Sequence, residues 1–135
     1  MKSLTFAEKI FGANAGAIVF ARPDIILTHD NTASIYKTFQ KMGGTKVADP
    51  GQMLVVLDHN APPPDAKLAN QYKEIRDIVA SQGITRFYDA GRGICHQIMS
   101  YHARPGMLIV GSDSHTSTAG AFNAFATGID RTESL

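Results

Sequence analysis

The sequence has 135 residues, 44% of them hydrophobic and 19% charged, with a formal net charge of +1 at neutral pH. That balance supports a buried core and excludes a chain that is disordered by composition. No basic block of the kind a nucleic-acid interface needs is present, and no apolar run approaches the ~20 residues of a membrane-spanning helix.

The N-terminal stretch carries Glu8 and Lys9 where a signal peptide would be apolar, so a cytoplasmic protein is expected. A single cysteine, Cys95, excludes an intrachain disulfide. It equally excludes an iron–sulfur cluster or an all-cysteine zinc site built from this chain alone.

Thr5 and Glu8 fit a capping box, with Phe6, Ile10 and Phe11 on one helical face and Gly12 as the stop. The following segment reads as irregular, with a short strand expected at 17–21. Asp24–Thr28 is an apolar run that ends in His29-Asp30-Asn31. A helix follows on Ile35, Phe39 and Met42, capped by Asn31 or Thr32 and ended by Gly43-Gly44. After a turn-rich join, Gln52–Leu57 reads as a strand buried on both faces and ends in Asp58-His59-Asn60. The prolines at 62–64 form a stiff break. Leu68, Tyr72, Ile75 and Val79 then recur at helical spacing as far as Gly83.

Ile84–Tyr88 reads as a short strand, followed by the glycine-broken turn at 89–93. The stretch 94–99 is ambiguous between helix and strand, and 101–106 reads as a loop. Met107–Val110 is a further strand, leading into Gly111-Ser-Asp-Ser-His-Thr-Ser-Thr-Ala-Gly120. The pattern there is strand, polar loop, then a helix on the Ala- and Phe-rich segment 119–126. Capping by Thr116 or Ser117 is the simplest structural role for that loop. Alternating strands and helices with short joins predict a three-layer α/β/α arrangement around a mostly parallel sheet.

In such a sheet every strand's carboxyl end lies on one edge, where open α/β folds bind ligands. His29, His59 and His115 lie near strand ends, each with an aspartate within two residues: Asp30, Asp58 and Asp113. His96 follows the glycine-rich turn. Imidazoles titrate near neutral pH and a neighbouring carboxylate fixes their tautomer, so these pairs suit proton transfer. His102 reads as a loop hydrogen-bonding residue and Cys95 as a small buried side chain. The glycines around Arg92 lack the spacing of a phosphate-binding loop. Two other readings stay open: a mononuclear metal hydrolase with His29, His59 and His115 as ligands, and a binding module without chemistry.

Asp58-His59-Asn60, Gly93-Ile-Cys-His96-Gln97, Gly111-Ser-Asp-Ser-His-Thr-Ser-Thr-Ala-Gly-Ala-Phe122 and Ala126-Thr-Gly-Ile-Asp-Arg-Thr-Glu133 occur in that order. Together they resemble the aconitase superfamily, in its 3-isopropylmalate dehydratase and homoaconitase branch. The resemblance runs from about Thr5 to Glu133. It implies a partial iron–sulfur domain spanning residues 1–135, the front part of a cluster-bearing large subunit. It also implies a hydro-lyase acting on a small anionic 2-hydroxy di- or tricarboxylate in leucine biosynthesis or a related route. A separate small subunit would be its partner.

By that resemblance His59 is the acid that protonates the departing hydroxyl, with Asp58 behind it. His96 and Asp113 are a second imidazole–carboxylate pair, and His115 a third imidazole. Ser114 and His29 contact substrate. The 4Fe–4S cluster of the family takes its cysteines from downstream of these motifs. None is expected bound to this chain alone, which by itself is expected to be inactive.

Overall fold

The computed structural model describes residues 3–134. The capping box closes as expected: Thr5 N–H donates to Glu8 Oε2 at 2.8 Å and Glu8 N–H to Thr5 Oγ1 at 3.3 Å. It starts α1, Phe6–Phe11, which ends at Gly12 with φ of 61°.

Five strands form one sheet: β1 (Ile25–Thr28), β2 (Met53–Val56), β3 (Arg86–Tyr88), β4 (Leu108–Gly111) and β5 (Phe125–Gly128). Their spatial order is β3-β2-β1-β4-β5, and every pairing is parallel. The helices α2 (Thr32–Lys41), α3 (Ala66–Gln82) and α4 (Cys95–His102) fill the crossovers. The α/β class and the parallel sheet are therefore as the sequence predicts.

Side-chain alternation along the strands builds two cores. On one face Ile25, Leu27, Leu54, Val56 and Ile109 pack against Ile98 and Met99 of α4 and against Ala119. On the other, Val55 and Leu57 pack with Ala33 of α2 and with Tyr72, Ile75, Ile78 and Val79 of α3. Leu54, Val55, Val56 and Leu57 are all fully buried, so this strand is apolar on both faces. Helix α3 carries the expected signals: Asp65 accepts from Leu68 N–H at 2.8 Å, and Gly83 ends the helix at φ 72°.

Four local expectations need correction. Residues 17–21 pair with no strand, and Ile18 and Phe20 stand 92% and 101% exposed. A β-prone run without a ladder partner leaves its backbone to water. The expected loop at 101–106 begins later, because α4 runs through His102, whose Nε2 lies 2.8 Å from the Tyr88 hydroxyl. Asn31 occupies the N-cap position of α2 without a side-chain cap bond. Thr32, inside the helix, donates to the His29 carbonyl at 2.6 Å.

The fourth correction concerns the polar loop. Residues Ser114–Phe122 wind as 3-10 turns, and Asn123 at φ 58° stops them. The segment 119–126 expected to be helical is thus split: its first half belongs to these turns and its end enters β5, paired with β4 from Leu108–Phe125 to Gly111–Gly128. Phe125 also meets Phe11 edge-on at 4.8 Å. Ladder bonds and this aromatic contact outweigh the helical leaning of the alanines.

Candidate active site

The carboxyl ends of four strands meet on one edge of the sheet. Strand β1 delivers His29, Asp30 and Asn31; β2 delivers Asp58 and His59. The turn after β3 leads to Cys95 and His96 at the start of α4, and β4 leads to Ser112–His115. The chain moves outward from β1 to β2 and β3, then returns to the other side of β1 as β4. The edge between β1 and β4 is thus a topological switch point, the place where open α/β folds bind ligands.

Asp113 is the hub. Its Oδ1 lies 3.1 Å from His96 Nε2 and 3.4 Å from His115 Nδ1, and its Oδ2 lies 3.4 Å from His59 Nε2. The local sequence explains its aim. Asp113 is the cap of the 3-10 turns and accepts from His115 N–H at 2.7 Å, while Thr116 Oγ1 donates to the Asp113 carbonyl at 2.6 Å. The capping role expected of Thr116 or Ser117 therefore belongs to Asp113.

His59 Nδ1 sits 2.7 Å from Asp58 Oδ1, and the second Asp58 oxygen accepts from Cys95 N–H at 2.6 Å. His59 thus lies between two carboxylates. Partial burial opposes its charge, but the bonds and fields of Asp58 and Asp113 outweigh that and raise its pKa above the ordinary imidazole value. Burial also opposes charge on Asp58 and Asp113. Cys95 N–H and His59 hold Asp58 below the usual carboxylate range. His115 N–H, His96 and His59 do the same for Asp113.

His29 stacks on His59 with ring centroids 3.9 Å apart and 19° between planes. Burial first, then the neighbouring His59, pushes its pKa down, and its Nδ1 is buried without a hydrogen-bond partner. The expected pairing of His29 with Asp30 does not form. Asp30 turns instead towards the backbone of the 58–60 turn and the Tyr72 hydroxyl. His115 is the most open of the ring, with 77% of its side chain exposed. Ser114 is exposed next to it, its Oγ 3.4 Å from His115 Nδ1.

The structure therefore brings His29, Asp58, His59, His96, Asp113, Ser114 and His115 to one edge. It adds Asn31 and Ser112, which the sequence reading passed over. Asn31 Nδ2 donates to the Ser112 carbonyl at 3.2 Å, and Ser112 Oγ donates to Asn31 Oδ1 at 3.0 Å. These bonds tie the loop after β1 to the loop after β4. Only an Asn and a Ser beside motif residues marked them in the sequence.

A cluster of four irons needs three or four thiolates. The one cysteine, Cys95, is fully buried, and burial together with Asp58 raises its thiol pKa. These residues do not hold such a group. For a single divalent ion, His96, Asp113 and His115 place ligand atoms within 4.8 Å of one another. Asp58, His59 and Cys95 do so as well, but there Asp58 already accepts from Cys95 N–H and pairs with His59. In the set His29, Asp30 and His59 the carboxylate already serves other donors. Among the described residues, His29, His59 and His115 do not form one ligand set, which removes the geometric basis of the mononuclear hydrolase.

Fold and site define a parallel α/β domain with an imidazole–carboxylate constellation at its switch point. Residues 6–134 match the profile of the Aconitase family (aconitate hydratase), and the chain belongs to that family. It is 44% identical to 3-isopropylmalate dehydratase large subunit 1 of Methanopyrus kandleri, over 96% of this chain and 33% of that protein. It is 39% identical to the methanogen homoaconitase large subunit of Methanocaldococcus jannaschii, again over 96% of this chain and 33% of the relative. The chain spans about a third of the length of the curated relatives it matches. No helix among the described residues is long and apolar enough to cross a membrane.

Proposed function

We propose that this chain contributes the acid–base side of a hydro-lyase site that adds and removes water on a small 2-hydroxy di- or tricarboxylate such as 3-isopropylmalate. The observation that carries the reading is Asp113, whose single carboxylate faces His59, His96 and His115 at the ligand-binding edge. His59 is the acid. Held between Asp58 and Asp113, its protonated form is favoured more than in a free imidazole, and its partly open ring can deliver that proton to a leaving hydroxyl. Asp113 orients His96 and His115, the second and third imidazoles, with His115 on the solvent side. The Ser114 hydroxyl is placed to donate to a substrate carboxylate. His29 stacks on His59 and keeps a neutral ring beside it.

A 4Fe–4S cluster, which the family implies for the complete enzyme, would take its thiolates from outside these 135 residues. The proton chemistry of the histidines is what this chain supplies. Several relatives are named large subunits, so a separate small subunit is the partner we infer. A cytoplasmic setting fits the single buried free cysteine.

The test is to purify the native protein from its source without oxygen. Its mass, iron content and ability to hydrate or dehydrate 3-isopropylmalate and homocitrate are then measured. The reading expects a chain roughly three times longer than these 135 residues, since the relatives are matched over 33% of their length. It further expects bound iron, and turnover that falls by on the order of 10²–10⁴ in His59→Asn. A native protein no larger than these 135 residues, without iron or turnover, would overturn it and leave the non-catalytic binding module.

A further inference from the structure

Asp30 stands immediately after His29 yet makes no contact with it among the hydrogen bonds of the site. Its side chain is buried, with the residue 5% exposed, and it accepts four donors, none of them cationic. Oδ1 accepts from Asp58 N–H at 3.1 Å. Oδ2 accepts from Asn60 N–H at 2.8 Å, from Asn60 Nδ2 at 2.9 Å and from the Tyr72 hydroxyl at 2.8 Å. The Asp30 carbonyl accepts from Gln71 Nε2 at 2.6 Å.

These bonds have one geometric consequence. Both ends of the turn Asp58-His59-Asn60 hang on a single carboxylate. Asp30 is anchored in turn to α3, its carboxylate by the Tyr72 hydroxyl and its backbone carbonyl by Gln71. His59 lies between the two anchors. Its Nδ1 reaches Asp58 and its Nε2 faces Asp113 only while the turn keeps this shape. Of the four donors one falls on Oδ1 and three converge on Oδ2, so the turn and Tyr72 meet in this one group.

We propose that Asp30 is a positioning residue of this site: its carboxylate clamps the 58–60 turn onto α3 and so aims the Asp58–His59 pair at Asp113. The effect on turnover rests on the role proposed above for His59. The clamp itself does not, and it is testable without activity.

The probe is the ring of His59, titrated by NMR in the 135-residue chain. The charged or titratable groups around that ring are Asp58, Asp113, Asp30, His29 and Cys95, each of which can shift its midpoint. Asp30→Asn is expected to lower the His59 midpoint by on the order of one pH unit, because the imidazolium loses its aligned carboxylate. In an Asp58→Asn background the same substitution is expected to shift it far less, since no aligned partner remains to be lost.

Equal shifts in both backgrounds would mean that Asp30 acts only through its charge, and the clamp would be wrong. No shift in either background, with only a lower melting temperature, would reduce Asp30 to packing and equally overturn the proposal. Tyr72→Phe covers the case in which Asp30→Asn does not fold. It keeps the carboxylate and removes one donor, and it is expected to move the His59 midpoint in the same direction by less. An unchanged midpoint in that variant would also defeat the clamp.

Discussion

Asp113 concentrates the chemistry of the site in one side chain. Replacing it with Asn keeps the shape and removes the charge facing three imidazoles. We expect Asp113→Asn to lower the rate of hydration by on the order of 10²–10⁴ in the complete enzyme, read in the alkene absorbance assay. Loss of less than tenfold would dismiss it as the hub. The two stacked histidines make an opposite pair of predictions for stability. His29 has a lowered pKa, so the unfolded chain takes its proton at a pH where the folded chain does not. Its contribution to stability is present above the unfolded value near 6.5 and is lost as pH falls towards the folded value. His59 has a raised pKa, so its contribution is full below about 6.5 and is lost as pH rises through the folded value. His29→Gln should therefore resist acid better than the parent. Urea midpoints at pH 5.5 and 7.5 should lie closer together, or reverse in order. Parallel pH profiles for variant and parent would show that burial of this ring costs nothing.

At the level of elements, β5 is what fixes the polar loop from below. A Cβ on Gly128 would lie 2.7 Å from the Asp113 carbonyl oxygen and 2.9 Å from Ser114 Cα. Both are backbone atoms, so neither can rotate away. Gly128→Ala should cost about 1–3 kcal/mol of stability and displace the Asp113 carboxylate from His96 and His59. Thermal unfolding and the histidine ring shifts of the variant would check it, and unchanged ring shifts would show that the loop does not rest on β5. This element also marks where the sequence stopped being readable. Helix α3 was legible because its cap, its spacing and its C-terminal glycine agree. The ends of β1, β2 and β4 were legible because short aliphatic runs stop at charged residues. Strand β5 was not, since Ala, Phe and Thr carry no period of their own and the pairing with β4 is non-local. The same holds for Asp30. Its adjacency to His29 suggested a pair, whereas its true partners lie 12 to 42 positions away from one another or from it, in the 58–60 turn and in α3.

For the molecule as a whole, the sheet is shared by two cores, and the site draws on both layers. His96 enters from α4 on one face, while Tyr72 and Gln71 of α3 hold Asp30 from the other. Ile109 and Ile75 are fully buried and belong to opposite cores. Truncating either to Ala removes apolar contact and leaves a cavity, at about 2–5 kcal/mol. The two sites share no packing partners, so their costs should add. The double variant then loses about 4–10 kcal/mol, comparable to the 5–15 kcal/mol by which an ordinary domain is stable. Because Leu54 and Val55 of one strand feed opposite cores, neither layer can melt without unpairing β2. We therefore expect each single variant to keep one unfolding transition, with far-UV circular dichroism and tyrosine fluorescence changing together in urea. Separate transitions by the two probes would mean that the layers fold independently. The Asp30 clamp and His96 would then belong to units of unequal stability, and the four-strand edge would not act as one site.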